Sequence, residues 1–198
     1  ISLVRKFADS SLSTSLKITK DITPNIYKVI QSILSQLEIL EINLECYVYN
    51  DAEMNASCFS VEDDVNIVIM ISSGLVNNME NEELAFVIGH EIGHYIFGHL
   101  GYREAPREQS DLLDMKISRI YQSHEISADR IGLICSGSIE SSLRAIIKTV
   151  SGLNNKFITH NLHSYLHQIQ SLRYDDLANT KHTHPIFPLR AQALTLFS

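Results

Sequence analysis

The sequence predicts an α+β domain, mostly helical, with a small antiparallel β-sheet next to one central helix. Three observations lead there. Apolar residues recur at helical spacing over most of the chain. Short β-prone stretches crowd between residues 44 and 71, and an apolar run from Leu84 to Leu100 follows closely. A chain of 198 residues, 44% of them hydrophobic, can build one sizeable core. The expected division is an N-terminal helical segment, residues 1–43, packed on a main domain, residues 44–198.

Residues 1–20 place Leu3, Val4, Phe7, Leu12, Leu16 and Ile18 among serines and threonines, a weak helical pattern suited to a docking segment. Pro24 can open a helix, and Ile26, Tyr27, Ile30, Ile33, Leu34 and Leu37 continue it to about Leu40. The pattern then changes. Cys46-Tyr47-Val48-Tyr49 is β-prone and ends at the turn signal Asn50-Asp51. A second strand is expected over 55–61 and a third, more apolar, over 65–71, closed by Ser72-Ser73-Gly74. Asn77 to Glu83 supplies cap-type asparagines and three glutamates, favourable at the N-terminus of the helix that follows. Gly98 to Pro106 breaks that helix. Further helices are expected over 111–135, 139–150 and 161–174, with a last short one from about Leu189.

Charge and composition narrow the function. The formal net charge is −7 and neither lysine nor arginine clusters, so no nucleic-acid or anionic-membrane surface is expected. No apolar run approaches the roughly 20 residues that cross a bilayer, so no transmembrane segment is expected in this chain. The first residue is Ile1 rather than methionine, which leaves a preceding signal or anchor open. Cys46, Cys58 and Cys135 are an odd number without metal-ligand spacing, and buried thiols are expected. This tilts the compartment toward a reducing, cytoplasmic interior. Cys46 and Cys58 could still meet across a hairpin, which keeps an oxidising or periplasmic setting open.

The chemistry concentrates in Gly89-His90-Glu91-Ile92-Gly93-His94. Histidines four residues apart on a helix differ by about 40° in direction and roughly 6 Å in height, so both imidazoles can reach one ion. Glu91 projects beside that ion, where its carboxylate can take a proton from a metal-bound water. Leu84, Phe86, Val87, Ile88, Ile92, Ile96 and Phe97 make the helix apolar nearly all round, hence buried. Burying two histidines and a glutamate without partners costs several kcal/mol, and a metal removes much of that cost.

A catalytic zinc normally takes three protein ligands and keeps a position for water. His99 lies one residue short of the position for a third histidine on the same run, about 100° off the required direction. The glutamates after His94 are Glu104, Glu108, Glu125 and Glu140. Glu104 and Glu108 flank Pro106 in an expected loop and Glu140 follows a glycine turn, whereas Glu125 stands in mid-helix. Asp129 lies one turn further on, suited to hydrogen-bond a ligand imidazole and fix its tautomer. Ala128 and Gly132 on that helix, with Gly89 and Gly93 on the first, would let the two backbones approach closely. His160, His163 and His167 bring no carboxylate and are expected on a solvated face.

In their order, Asn55-Ala56, Gly74-Leu75, the run from Glu82 to His99, Glu125-x-x-x-Asp129 and Thr183-His184-Pro185 with Arg190 resemble the gluzincin peptidases of metallopeptidase family forty-eight, which includes the CAAX prenyl proteases and HtpX-like proteases. The resemblance covers roughly residues 44 to 195. It implies a zincin-like domain with one Zn2+ held by His90, His94 and Glu125, and Glu91 as general base. It implies that the strand around Asn55 and Ala56 lies along the cleft, where an extended polypeptide substrate adds as a further strand. His184 would line the cleft as a donor to the tetrahedral oxyanion, and Arg190 would brace that loop or pair with a carboxylate. Membrane members carry transmembrane helices that this chain lacks, so it is expected nearer the soluble or peripheral members.

The function so expected is a zinc-dependent endopeptidase. The alternative is a latent or non-proteolytic zinc-containing module that binds partners in a chaperone-like way. A structural zinc closed by His184 is a further alternative, and the oligomeric state is open.

Overall fold

The computed structural model describes residues 3–39, 41–60, 65–99, 111–158, 164–167 and 187–198, with backbone alone for 111–118. In chain order the elements are α1 (Leu3–Ser11), β1 (Ser15–Lys17), α2 (Pro24–Gln36), β2 (Asn43–Tyr49), β3 (Ala56–Phe59), β4 (Asn66–Ser72), α3 (Ser73–Asn78), α4 (Asn81–Ile96), α5 (Asp111–Ser136), α6 (Ile139–Ser151) and α7 (Phe187–Phe197). The class is α+β and mostly helical, as expected. Of the helix expected over 161–174, residues 164–167 are described, and they are helical with His167 exposed. His160 and His163 lie outside the described residues.

The sheet has four strands in the order β1-β2-β4-β3. β1 pairs antiparallel with β2 and β3 antiparallel with β4, but β2 and β4 run parallel. It is therefore mixed, where the sequence suggested a wholly antiparallel sheet. The reason is topological: β3 takes the outer edge, and the chain's return from it lays β4 beside β2 in the same direction. Cys46 and Cys58 both stand opposite Ile69, one on each side of it. Two strand spacings, about 9–10 Å, exceed the roughly 7 Å limit for a disulfide, so the two thiols do not meet across a hairpin. All three cysteines are buried.

Each face of β4 is covered. Ile67, Ile69 and Ile71 pack in one core with Val29, Ile30 and Ile33 of α2 and Leu84, Ile88 and Ile92 of α4. Val68 packs on the other side with Tyr47 and with Val4 and Ala8 of α1. Burial on both faces explains why β4 reads as an unbroken apolar run rather than an alternating one. At roughly 1.5–3 kcal/mol for each fully buried aliphatic side chain, the three isoleucines anchor α4 firmly to the sheet.

The N-terminal segment is joined to the sheet by charge as well. Glu45 on β2, 9% exposed, accepts from Arg5 Nη1 at 2.8 Å and from the Tyr47 hydroxyl at 2.5 Å, and pairs with Lys17 Nζ at 2.9 Å. Burial pushes its carboxyl pKa up, but these donors outweigh that and hold it below the ordinary value.

The start of α4 departs from the asparagine caps expected. Glu80 occupies the N-cap position, and its N–H donates to Glu83 Oε2 at 2.8 Å. Glu83 is fully buried and pairs with Lys148 Nζ of α6, itself fully buried, at 2.5 Å and with Arg144 Nε at 3.0 Å. Lys148 also donates to the carbonyl of Asn78 at 2.9 Å. Two buried charges are thus matched by each other and by hydrogen bonds, the condition on which such groups are tolerated. Phe86, Leu133, Ala145, Ile146 and Leu194 form the second core, joining α4, α5, α6 and α7. Among the described residues no helix is long and apolar enough to cross a membrane.

Candidate active site

The site is built where α4 and α5 pass each other antiparallel. Contacts fall in α5 as they rise in α4: Gly89 meets Gly132 and Cys135, His90 meets Asp129, Gly93 meets Ala128 and Ile131, and His94 meets Glu125. There is no room for more atoms along this line. A methyl group on Gly93 would stand 3.0 Å from the Ala128 Cα, and one on Gly132 would stand 2.7 Å from the Phe86 carbonyl oxygen. The small residues noted in the sequence therefore set the helix separation, and α5 brings Glu125 and Asp129 over the histidines.

His90, His94 and Glu125 are buried, and each offers a donor atom within 4.8 Å of the others. His90 Nε2 and His94 Nε2 face each other at 3.1 Å. Glu125 Oε2 is 3.5 Å from His90 Nε2, and Glu125 Oε1 is 3.4 Å from His94 Nε2. Zinc bonded at about 2.0–2.1 Å in tetrahedral geometry holds its donor atoms about 3.3–3.5 Å apart. Both carboxylate–imidazole separations have that spacing, the two imidazole nitrogens stand about 0.2 Å closer, and the donor chemistry is the one zinc prefers, so the three groups fit the ion. Glu91, 7% exposed, has a buried Oε2 with no hydrogen-bond partner among the described residues. A buried carboxylate oxygen is normally satisfied, and a group brought to this one would find an open acceptor among the described residues.

The other nitrogens of both imidazoles are occupied. His90 Nδ1 meets Asp129 Oδ1 at 2.8 Å. Asp129, 1% exposed, is gripped from its far side by Arg190 of α7, whose Nε and Nη2 donate to Oδ2 and Oδ1 at 2.7 and 2.6 Å. Arg190 Nη1 also lies 3.7 Å from Glu125 Oε2. Burial pushes the Asp129 pKa up, but the Arg190 charge and its hydrogen bonds bring it below the ordinary value. For His90, burial favours the neutral ring, but the Asp129 and Glu125 carboxylates outweigh it and raise the imidazole to about 9. His94 Nδ1 lies 3.1 Å from Nδ1 of His99. His99 is 8% exposed, and burial together with the neighbouring His124 and His94 pushes it down to about 4.

Six residues singled out in the sequence, His90, Glu91, His94, Glu125, Asp129 and Arg190, are thus brought to one place. Arg190 pairs with a carboxylate, one of the two roles expected of it. Ala56 begins β3 and Asn55 immediately precedes it; β3 packs against α4 and is one of the two edge strands of the sheet. The Asn55 N–H donates to Ser72 Oγ at 3.1 Å, and Ala56 is paired with Ile71. His184 lies outside the described residues. The sequence speaks against His99 as a metal ligand, but its place five residues after His94, just past a glycine, is the signal for a neighbour of that histidine.

Comparison with known proteins finds relatives in sequence and in fold. Residues 22–108 match the family described as Peptidase family M48. The chain is 29% identical over 99 residues to "Protease HtpX" of Xanthomonas axonopodis pv. citri (strain 306), and 28% identical over 99 residues to "Protease HtpX" of Xanthomonas oryzae pv. oryzae (strain PXO99A). Each alignment takes in 50% of this chain and 34% of the relative, so the chain spans about a third of the length of these curated relatives. The fold is similar to that in "Crystal Structure of S. mikatae Ste24p", with a TM-score of 0.56 at 15% identity, over 97% of this chain and 55% of that one.

Proposed function

We propose that this chain, a relative of the family M48 peptidases through residues 22–108, is a zinc-dependent endopeptidase acting on extended polypeptide. One observation carries the reading: three buried donors at tetrahedral spacing stand beside a glutamate whose buried oxygen has no described partner. His90 Nε2, His94 Nε2 and a Glu125 oxygen would hold one Zn2+, which when bound supplies Lewis-acid activation of a water and of the scissile carbonyl.

The remaining steps belong to the protein. Glu91 takes a proton from the attacking water and hands it to the leaving amine. Asp129 accepts the Nδ1 proton of His90, which leaves the Nε2 lone pair free to bind. Arg190 fixes Asp129 with a planar two-point grip and places positive charge near Glu125. The outer edge of β3, from Asn55 and Ala56, takes the substrate as an added strand through main-chain hydrogen bonds. His184 donates to the developing oxyanion. Residues 44–198 form the peptidase domain and residues 1–43 the segment docked on it.

The test is hydrolysis of an unfolded protein such as reduced casein by zinc-loaded protein, beside a Glu91→Gln variant and a chelator-treated sample. Cleavage by the parent alone supports the reading. Full cleavage by metal-replete Glu91→Gln sinks it, and firm zinc binding without cleavage favours a latent or chaperone-like module.

A further inference from the structure

The two histidines of α4 are supported differently, and the difference identifies a further residue of the site. His90 has a carboxylate at its outer nitrogen. His94 has another imidazole. The helix ends at Ile96, Phe97 caps it with its N–H on the Gly93 carbonyl at 3.1 Å, and Gly98 then adopts a φ of +65°. This left-handed residue reverses the chain as a helix terminus requires. His99 is thereby folded back alongside His94, although it lies five residues further on.

The His99 ring is held on its own account. It stacks on His124 of α5 with ring centres 3.9 Å apart and planes 6° apart, and it lies 5.5 Å from the Phe97 ring at 25°. Its Nδ1 is directed at His94 Nδ1, 3.1 Å away. An imidazole that gives Nε2 to a metal carries its proton on Nδ1 and needs an acceptor there. Two facing Nδ1 atoms can share one proton only, so a donating His94 requires His99 to be the tautomer with its proton on Nε2.

We propose that His99 is a positioning residue of the metal site: its Nδ1 accepts the Nδ1 proton of His94 and fixes the tautomer and ring angle that present His94 Nε2 to the metal. This rests on the reading of His94 as a zinc ligand. His99 itself does not reach the ion; it acts through His94, as Asp129 acts through His90. His124 holds His99 by stacking, so α5 supports both ligand histidines from their outer sides.

The experiment uses the full chain loaded with zinc. Long-range proton–nitrogen spectra of the imidazoles should show His94 Nδ1 protonated and His99 Nδ1 as a bare, hydrogen-bonded acceptor. A protonated His99 Nδ1 overturns the proposal. In competition with a chromophoric chelator, His99→Ala and His99→Phe should bind zinc about 10–100-fold more weakly than the parent, and His99→Gln, which keeps an acceptor, should recover part of the loss. His99→Phe keeps a ring against His124, so equal zinc affinity in a His99→Phe protein with the parent's Tm overturns the proposal. If the variants do not fold, the spectra of the parent decide alone. A parent that binds no zinc removes the site reading and this inference with it, whereas a parent that binds zinc tightly with unchanged His99 variants removes this inference only.

Discussion

Arg190 and Asp129, 61 residues apart in sequence, meet through two parallel hydrogen bonds of 2.7 and 2.6 Å. With Asp129 1% exposed, this pair lies in the dry interior, where removing one partner strands the other's charge. Arg190→Ala should therefore lower stability by about 3–5 kcal/mol, read from chemical denaturation of metal-free protein. Arg190→Lys should restore only part, because an ammonium cannot make the planar two-point contact. Equal stability of parent and Arg190→Ala would show that the pair contributes nothing net.

The proposed base, Glu91, and the proposed ligand carboxylate, Glu125, separate by assay. Glu91→Gln should hold zinc like the parent and lose about 10²–10⁴-fold in cleavage rate, the usual share of a general base. Glu125→Ala should lose zinc itself, measured by dialysis and metal analysis. A Glu125→Ala protein that retains one tightly bound zinc would require a different third ligand.

Helix separation can be tested apart from the ligands. Gly93→Ala adds a methyl group 3.0 Å from the Ala128 Cα, and only a shift of backbone can relieve it. We expect a loss of about 1–3 kcal/mol together with weaker zinc binding, since α5 must move and Glu125 with it. Gly98→Ala is the contrast: a methyl group there meets nothing within 4 Å, and its cost of about 1–2 kcal/mol would come from the left-handed backbone alone.

Acid should loosen the N-terminal segment. Glu45 has a folded-state pKa below its ordinary value of 4.5, so its contribution is fully present above pH 4.5 and is lost as the pH falls through the lowered folded value. Hydrogen exchange of α1 and β1 should accelerate in that window in the parent. In Glu45→Gln the acceleration should be absent and exchange fast throughout. An acid response in Glu45→Gln equal to the parent's would assign the effect to other carboxylates.

The sequence made the histidine pair legible because helical geometry is local: four residues on one helix determine where both rings point. Glu125 was legible by a weaker route, as a mid-helix carboxylate with Asp129 one turn on and small residues on both helices. The direction of β4 was not legible, since alternation and strand length are the same for parallel and antiparallel neighbours. The place of His99 is not legible from helical direction, because the helix ends at Ile96 and Gly98 turns the chain back. Local pattern shows Glu83 only as a dipole partner at a helix start; its burial against Lys148 depends on α6, 65 residues away.

Arg190 stands on the last helix described, a hundred residues after the first histidine of the motif. During synthesis the pair on α4 leaves the ribosome well before α5, and α7 follows later still. A chain still being made thus carries the histidine pair without the arginine that holds Asp129 in place. On the zinc-peptidase reading, the site thereby depends on a helix made long after its histidines, and a chain that has emerged only through α6 would hold an unsupported Asp129. A chain stopped at residue 186 should bind zinc weakly and cleave nothing; activity equal to the parent's in that truncation would break the link.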